Sequence, residues 1–154
     1  MFVFITCKHL YKCSFPPNVG LDPSDHEACF IPITRSDDML QVPKSSGINW
    51  GQRENRKNKN EAYLFIPIDC RSLFPADGKS FQLINHSTGQ ISNARLTQEN
   101  DKALQTEKID TLGRWLRDWI GVPYGTMVTP HHLGTKNTRA RIKRLTPDTF
   151  VIEI

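Results

Sequence analysis

The chain has 154 residues, of which 38% are apolar and 23% charged, with eight Phe, three Trp and three Tyr. That is the size of one domain with one hydrophobic core, and it is too apolar for a disordered tail. No run approaches the ~18 uninterrupted apolar residues of a membrane helix, and the apolar start from Met1 to Leu10 is broken by Cys7, Lys8 and His9, so a soluble, cytoplasmic chain is expected. Cys7, Cys13, Cys29 and Cys70 form no C-x-x-C pair, which points to reduced, mostly buried thiols and not to a zinc site.

The formal net charge is +4, but its distribution says more than its size. Between residues 44 and 60, Lys44, Arg53, Arg56, Lys57 and Lys59 face only Glu54, and between 136 and 144 Lys136, Arg139, Arg141, Lys143 and Arg144 have no acid among them. The rest of the chain is net negative. Positive charge concentrated in this way fits a phosphate-backbone partner, because neutralising phosphates releases condensed counterions. A solvated surface would carry the same charges.

In chain order, residues 1–30 read as an irregular leader broken by Phe15-Pro16-Pro17 and Asp22-Pro23. The run Ala28 to Ile33 reads as a strand, at an edge because Pro32 cannot donate to a central ladder. Ser45 to Asn60 has no apolar period and is expected to be an exposed loop or arm. Ala62 to Ile68 looks like a buried strand, and Phe81 to Ile84, His86-Ser87-Thr88-Gly89 and Gln90-Ile91 look like a hairpin.

The pattern then changes. Leu112, Trp115, Leu116, Trp119 and Ile120 form one helical stripe, with Asp110 or Thr111 as cap and Gly121 and Pro123 as stop signals. Thr129-Pro130 can open a short helical turn through Gly134. Arg139 to Lys143 alternates basic with small or apolar residues and reads as a strand with its charges on one face. Thr146-Pro147-Asp148 then turns into a last strand, Phe150 to Ile154. Many short strands with one clear helix imply a mainly β (α+β) barrel or sandwich.

Two segments combine side chains suited to base edges. The first, Ser46-Gly47-Ile48-Asn49-Trp50-Gly51-Gln52-Arg53-Glu54-Asn55-Arg56, is followed by Lys57 and Lys59. Arg can bond guanine O6 and N7 in pairs, Gln and Asn can do the same to adenine N6 and N7, and Lys supplies point charge for phosphates. The second runs from Ser92 to Gln105 and holds Asn93, Arg95, Gln98, Asn100, Lys102 and Gln105. An ordinary polar loop has the same composition.

Catalytic patterns are missing. There is no acidic residue followed by a Glu-x-Lys-like trio, no His-x-Lys pair and no Gly-x-Ser-x-Gly elbow. His131 and His132 are adjacent and point apart in most conformations, so no metal site is expected from them. No catalytic residue and no cofactor is assigned. A small nuclease using His131, His132 or Asp69 in an unfamiliar site stays open, as does an RNA or single-strand binder stacking bases on Trp50, Tyr63 and Phe65.

Ser46-Gly47-Ile48-Asn49-Trp50-Gly51-Gln52-Arg53, Asn60-Glu61-Ala62-Tyr63, Phe74-Pro75, Asp101 to Thr106, Leu112 to Arg117 and Thr149 to Ile154 together resemble the C-terminal B3-like DNA-binding domain of NgoFVII-type restriction endonucleases, over roughly Ile31 to Ile154. The resemblance implies a DNA-binding pseudobarrel, an open seven-stranded β-barrel with one or two short helices, preceded here by the leader 1–30. It also implies double-stranded DNA as partner, gripped in the major groove. The N-arm would carry Asn49, Trp50, Gln52, Arg53, Asn55, Arg56, Lys57 and Lys59, and the C-arm Asn93, Arg95, Gln98, Asn100, Lys102 and Gln105, with phosphate contacts from Lys136, Arg139 and Arg141. In such enzymes a separate phospholipase-D-like nuclease domain cuts the DNA, so the present chain is expected to read and not to hydrolyse.

Overall fold

Strand pairing sets the architecture. The computed structural model describes residues 12–13, 27–34, 41–134 and 139–154. Most of the leader, and Lys136, lie outside the described residues. The strands are β1 (Lys12–Cys13), β2 (Ala28–Pro32), β3 (Leu64–Phe65), β4 (Phe81–Asn85), β5 (Ile91–Thr97), β6 (Ala103–Thr106), β7 (Arg139–Thr146) and β8 (Thr149–Glu153). They form one sheet in the order β1-β2-β7-β8-β4-β5-β6-β3, antiparallel except for the parallel pair β4 and β8. The two-residue β1 is an addition outside β2. The other seven curl until β3 comes within 8 Å of β2, which gives a nearly closed barrel.

Side-chain alternation fills that barrel from inside. Cys29 and Ile31 of β2, Leu83 of β4, Leu96 of β5, Leu104 of β6, Ile142 of β7, and Phe150 and Ile152 of β8 are buried, each on the inward phase of its strand. Phe74, Phe81 and Phe150 pack as a ring cluster with centroids 4.7–5.5 Å apart, within the usual range for aromatic pairs. Cys29 and Cys70 are buried, unoxidised thiols.

The helix α1 spans Ile109–Ile120 and lays Leu112, Trp115, Leu116 and Ile120 into the core. It starts before the expected cap. Lys108 is the N-cap without a side-chain bond, and the Leu112 N–H instead donates to Thr106 Oγ1 at 3.3 Å, a residue at the end of β6. Gly121 closes the helix in the left-handed conformation, φ 83°, as its sequence position implies. The short α2 (Pro130–Leu133) opens on Thr129 with a capping box in which the Thr129 N–H donates to His132 Nδ1 at 3.0 Å.

Two sequence expectations shift. Ala62 to Ile68 is not one buried strand: Ala62, Leu64 and Ile66 are buried and Tyr63 and Phe65 half-exposed. Pro67 then ends the extended run in a 3-10 turn, Ile68–Leu73, with Ile68 turned out to solvent. Ser45 to Asn60 is not an open arm either. It winds through a 3-10 turn at Gly47–Gln52 in which Gly47, Ile48, Asn49 and Gly51 are buried.

That winding depends on close backbone approach. A Cβ on Gly113 would fall 1.7 Å from Asn60 O, and one on Gly51 would fall 2.5 Å from Asn58 O, so helix and loop touch where only hydrogen fits. Because backbone stands on both sides of the Gly113 contact, Gly113→Ala is expected to destabilise the fold by roughly 3 kcal/mol or more, read as a fall in the urea midpoint. A midpoint equal to wild type would show that helix and loop separate without cost.

Candidate nucleic-acid interface

Register places the candidate residues on one strip. On the outer surface Arg95 of β5 stands opposite Gln105 of β6, and Asn93 stands opposite Gln82 of β4. Phe65 of β3 stands opposite Ala103, and Tyr63, two residues earlier in extended chain, shares that outward phase. The outer strip of β5, β6 and β3 therefore carries Asn93, Arg95, Gln105, Tyr63 and Phe65. A recess of ≈ 340 Å³ opens beside it, lined in part by Ser80, Arg95, Gln105 and Glu107.

One end of the strip is the tight connection from β5 to β6. Gln98, Asn100 and Asp101 all have positive φ, at 65°, 60° and 54°, a costly set for residues with side chains. Gln98 and Asn100 are exposed and Lys102 is half-buried. The Ile66 N–H donates to Lys102 O at 2.8 Å, tying this end to the segment after β3.

The other end is the wound segment 45–60. Trp50 meets Tyr63 edge to face at 5.6 Å, which brings its neighbours to the outward side of β3. The Arg53 guanidinium carbon lies 3.8 Å from the centre of the Trp50 ring and that of Arg56 lies 4.8 Å away. Arg56 is paired with Glu61 at 3.2 Å. Arg53 Nε donates to Ser45 O at 2.9 Å. Lys59 Nζ donates to Arg53 O at 2.9 Å, and Asn55 and Lys57 are exposed. The β5–β6 connection lies at the Ala103 side of β6 and Tyr63 continues β3 away from it, so the two groups stand toward opposite ends of β6.

Two proposed N-arm residues are occupied by the scaffold. Asn49 is fully buried. Its Nδ2 donates to Pro43 O at 2.9 Å and Val128 O at 2.7 Å, and its Oδ1 accepts from the Val128 N–H at 2.8 Å. Gln52 Nε2 donates to Lys59 O at 2.9 Å and Gly125 O at 3.2 Å. Asn93 remains exposed, with its Nδ2 on Glu107 Oε2 at 3.1 Å.

The third basic group is elsewhere. Arg139 and Arg141 lie on β7, which β8 and β4 separate from β5, and Arg141 is paired with Glu153 at 2.9 Å. Strand order thus does not bring them onto the Arg95 strip. His132 Nδ1 is engaged in capping α2, and among the described residues no three His, Cys, Asp or Glu side chains are grouped to hold a metal ion. Among the same residues no helix is long and apolar enough to cross a membrane.

Sequence reading passed over the residue that holds this end together. Arg117 is completely buried, with Nε donating to Thr126 O at 3.1 Å, Nη1 to Gly113 O at 3.2 Å, and Nη2 to Ile48 O and Lys59 O at 3.4 Å. Burial draws its pKa below the ordinary arginine value. The signal was present: Gly113 and Arg117 are one turn apart beside the apolar stripe, a gap and a long cation on the same helix flank. Arg117→Met leaves those carbonyls without a donor and is expected to cost at least ~3 kcal/mol, lowering the thermal midpoint by roughly 6–12 °C. An unchanged midpoint would mean that the carbonyls find other donors.

Asp110 joins the same loop to the helix start. Burial alone would raise its carboxyl pKa, but hydrogen bonds from Asn58 and Arg114 and the charges of Lys108 and Arg114 outweigh burial and hold it below the ordinary value of 3.8. A carboxyl whose pKa is lowered by folding stabilises the fold above its unfolded value and loses that contribution as pH falls through the folded value. Stability should therefore fall as pH drops below about 4, and Asp110→Asn should flatten that part of the curve in acid titrations followed by circular dichroism. Parallel wild-type and variant curves would remove Asp110 from the linkage.

Comparison with known proteins returns one family model over most of the chain. The family model for the NgoFVII C-terminal B3-like DNA-binding domain matches residues 30–142. No curated relative matches the chain. Among solved structures, that of the hypothetical Arabidopsis thaliana protein At1g16640.1 is similar at 14% identity over 61% of this chain and 76% of that chain, with a TM-score of 0.35. The matched span, well over half of the chain, places it in the family of NgoFVII-type C-terminal B3-like DNA-binding domains.

Proposed function

We propose that this chain reads a specific sequence in double-stranded DNA as the target-recognition part of a restriction endonuclease, and that cutting belongs to a separate nuclease domain or subunit. The duplex lies with its major groove across the outer strip of β5, β6 and β3. The observation that carries this reading is the register that sets Arg95 beside Gln105, between the Arg53 end and the Gln98–Lys102 end. Arginine and glutamine are the side chains that discriminate guanine and adenine by paired hydrogen bonds.

Within this arrangement Arg95, Gln105, Gln98 and Asn100 face base edges, and Lys57, Lys59 and Lys102 face phosphates. Arg139 and Arg141 on β7 act at longer range, drawing the polyanion toward the protein without fixing its register. Asn49 and Gln52 shape the loop and leave the reading to its exposed neighbours.

Selection from a random duplex library should return one preferred site, bound more tightly than its single strands. Arg95→Ala should cost roughly 1–3 kcal/mol on that site and relax one base pair. Lys57→Ala should weaken all duplexes alike and reduce the salt slope by about one. Plasmid incubated with the chain should stay intact in Mg²⁺ and in EDTA. A flat selection, or equal losses on cognate and random duplexes for Arg95→Ala, would refute the reading.

A further inference from the structure

We infer that Arg53 is a guanine-reading residue and that Trp50 is its positioning residue, an assignment that rests on the duplex-reading function above. Two guanidiniums share the Trp50 ring, and their surroundings differ. Arg56, 4.8 Å from the ring centre, is neutralised by Glu61 at 3.2 Å. Arg53, 3.8 Å from the ring centre, has no carboxylate within ion-pair distance among the described residues and is exposed. Its Nε is used on Ser45 O, while Nη1 and Nη2 have no acceptor among the described residues. The charge facing solvent is therefore carried by a planar two-pronged donor.

That donor is held on several sides. A separation of 3.8 Å places the guanidinium over the indole face, where stacking and cation–π attraction act together. The Ser45 bond fixes rotation about the end of the side chain, and Lys59 Nζ fixes the Arg53 carbonyl at 2.9 Å. Beneath it, the Gly51 N–H donates to Glu61 O at 2.8 Å, and the missing side chain at Gly51 lets the turn close. The rotamer entropy of a long side chain is thus largely lost before any ligand arrives, which lowers the cost of binding.

Two ligand chemistries present paired acceptors to such a fork, a phosphate and the O6 and N7 of guanine. A phosphate contact needs charge and tolerates movement, and exposed Lys57 in the same segment supplies that. A guanine edge needs two donors at one fixed angle, which is what the Trp50 platform provides. Lysine at this position would keep the charge and lose the fork.

The test measures base preference and salt dependence separately. On the site selected by the wild-type chain, Arg53→Lys should lose roughly 5- to 150-fold at one guanine-containing base pair, with binding to random duplex and the salt slope unchanged. Trp50→Leu should relax the same base pair while preference elsewhere in the site survives, and Trp50→Phe should restore most of it. Circular dichroism melts separate a folding defect in Trp50→Leu from loss of positioning, and Arg53 is exposed enough for its variants to fold. If Arg53→Ala weakens all sequences equally and lowers the salt slope by about one, Arg53 binds phosphate and the assignment is overturned. It is also overturned if Arg53→Lys retains the full preference. A wild-type chain that selects no site would instead refute duplex reading itself.

Discussion

One buried cation joins the wound loop to the barrel. Arg117 sits inside the protein with no carboxylate partner among the described residues and spends its donors on the carbonyls of Ile48, Lys59, Gly113 and Thr126. An isolated ion in such a place would cost many kilocalories in desolvation. The cost is offset because the guanidinium spreads its charge over a plane whose edges match several carbonyl dipoles at once. Those carbonyls come from three places far apart in sequence: the start and end of the wound loop, helix α1, and the segment before α2. Remove the cation and the loop loses its common anchor, although none of its exposed side chains has been touched.

The same logic explains the Gly-Ile-Asn-Trp-Gly-Gln-Arg run. Most of that run is occupied in holding itself together. Gly47 takes a positive φ of 58°, Ile48 and Asn49 are buried, Gly51 packs against Asn58 and Glu61 backbone, and Gln52 bonds back to the loop and to Gly125. Trp50 and Gln52 are half-buried, and Arg53 is the residue at which the run becomes fully exposed. A loop of this composition, left open, would present many donors in many orientations and bind with little discrimination. Wound tightly, it presents few donors with fixed direction.

Legibility followed the strength of the periodic signal. The α1 stripe from Leu112 to Ile120, its glycine stop and the hairpin around His86 to Gly89 could be read directly, because burial imposes a period of 3.6 or 2 on side chains that must face one way. Barrel closure could not, since it depends on β3 approaching β2 across some thirty intervening residues and on the parallel pair β4 and β8. The wound loop was misread as an open arm because its packing uses backbone carbonyls, glycine gaps and amide side chains, none of which leaves an apolar period. For the same reason Asn49 and Gln52 read as base-contacting amides while they serve the loop's own backbone, whereas Arg95 and Gln105 keep their outward placement through simple strand alternation.

The placement of the remaining charge completes the physical account. If every basic residue stood on the outer strip, nonspecific phosphate attraction would dominate any duplex bound there and the bases would matter little. Here the densest run of basic side chains lies on β7, away from β5 in strand order, and part of it is compensated: Arg141 by Glu153 and Arg144 by Glu27. The strip itself carries few full charges, several amides and two half-exposed aromatic rings. Amides and rings gain little from a phosphate and much from a correctly placed base edge, because their hydrogen bonds and contacts depend on angle where a point charge does not. Under the proposed function, a surface built in this way gives up some general attraction to DNA, and the affinity it keeps depends more strongly on sequence.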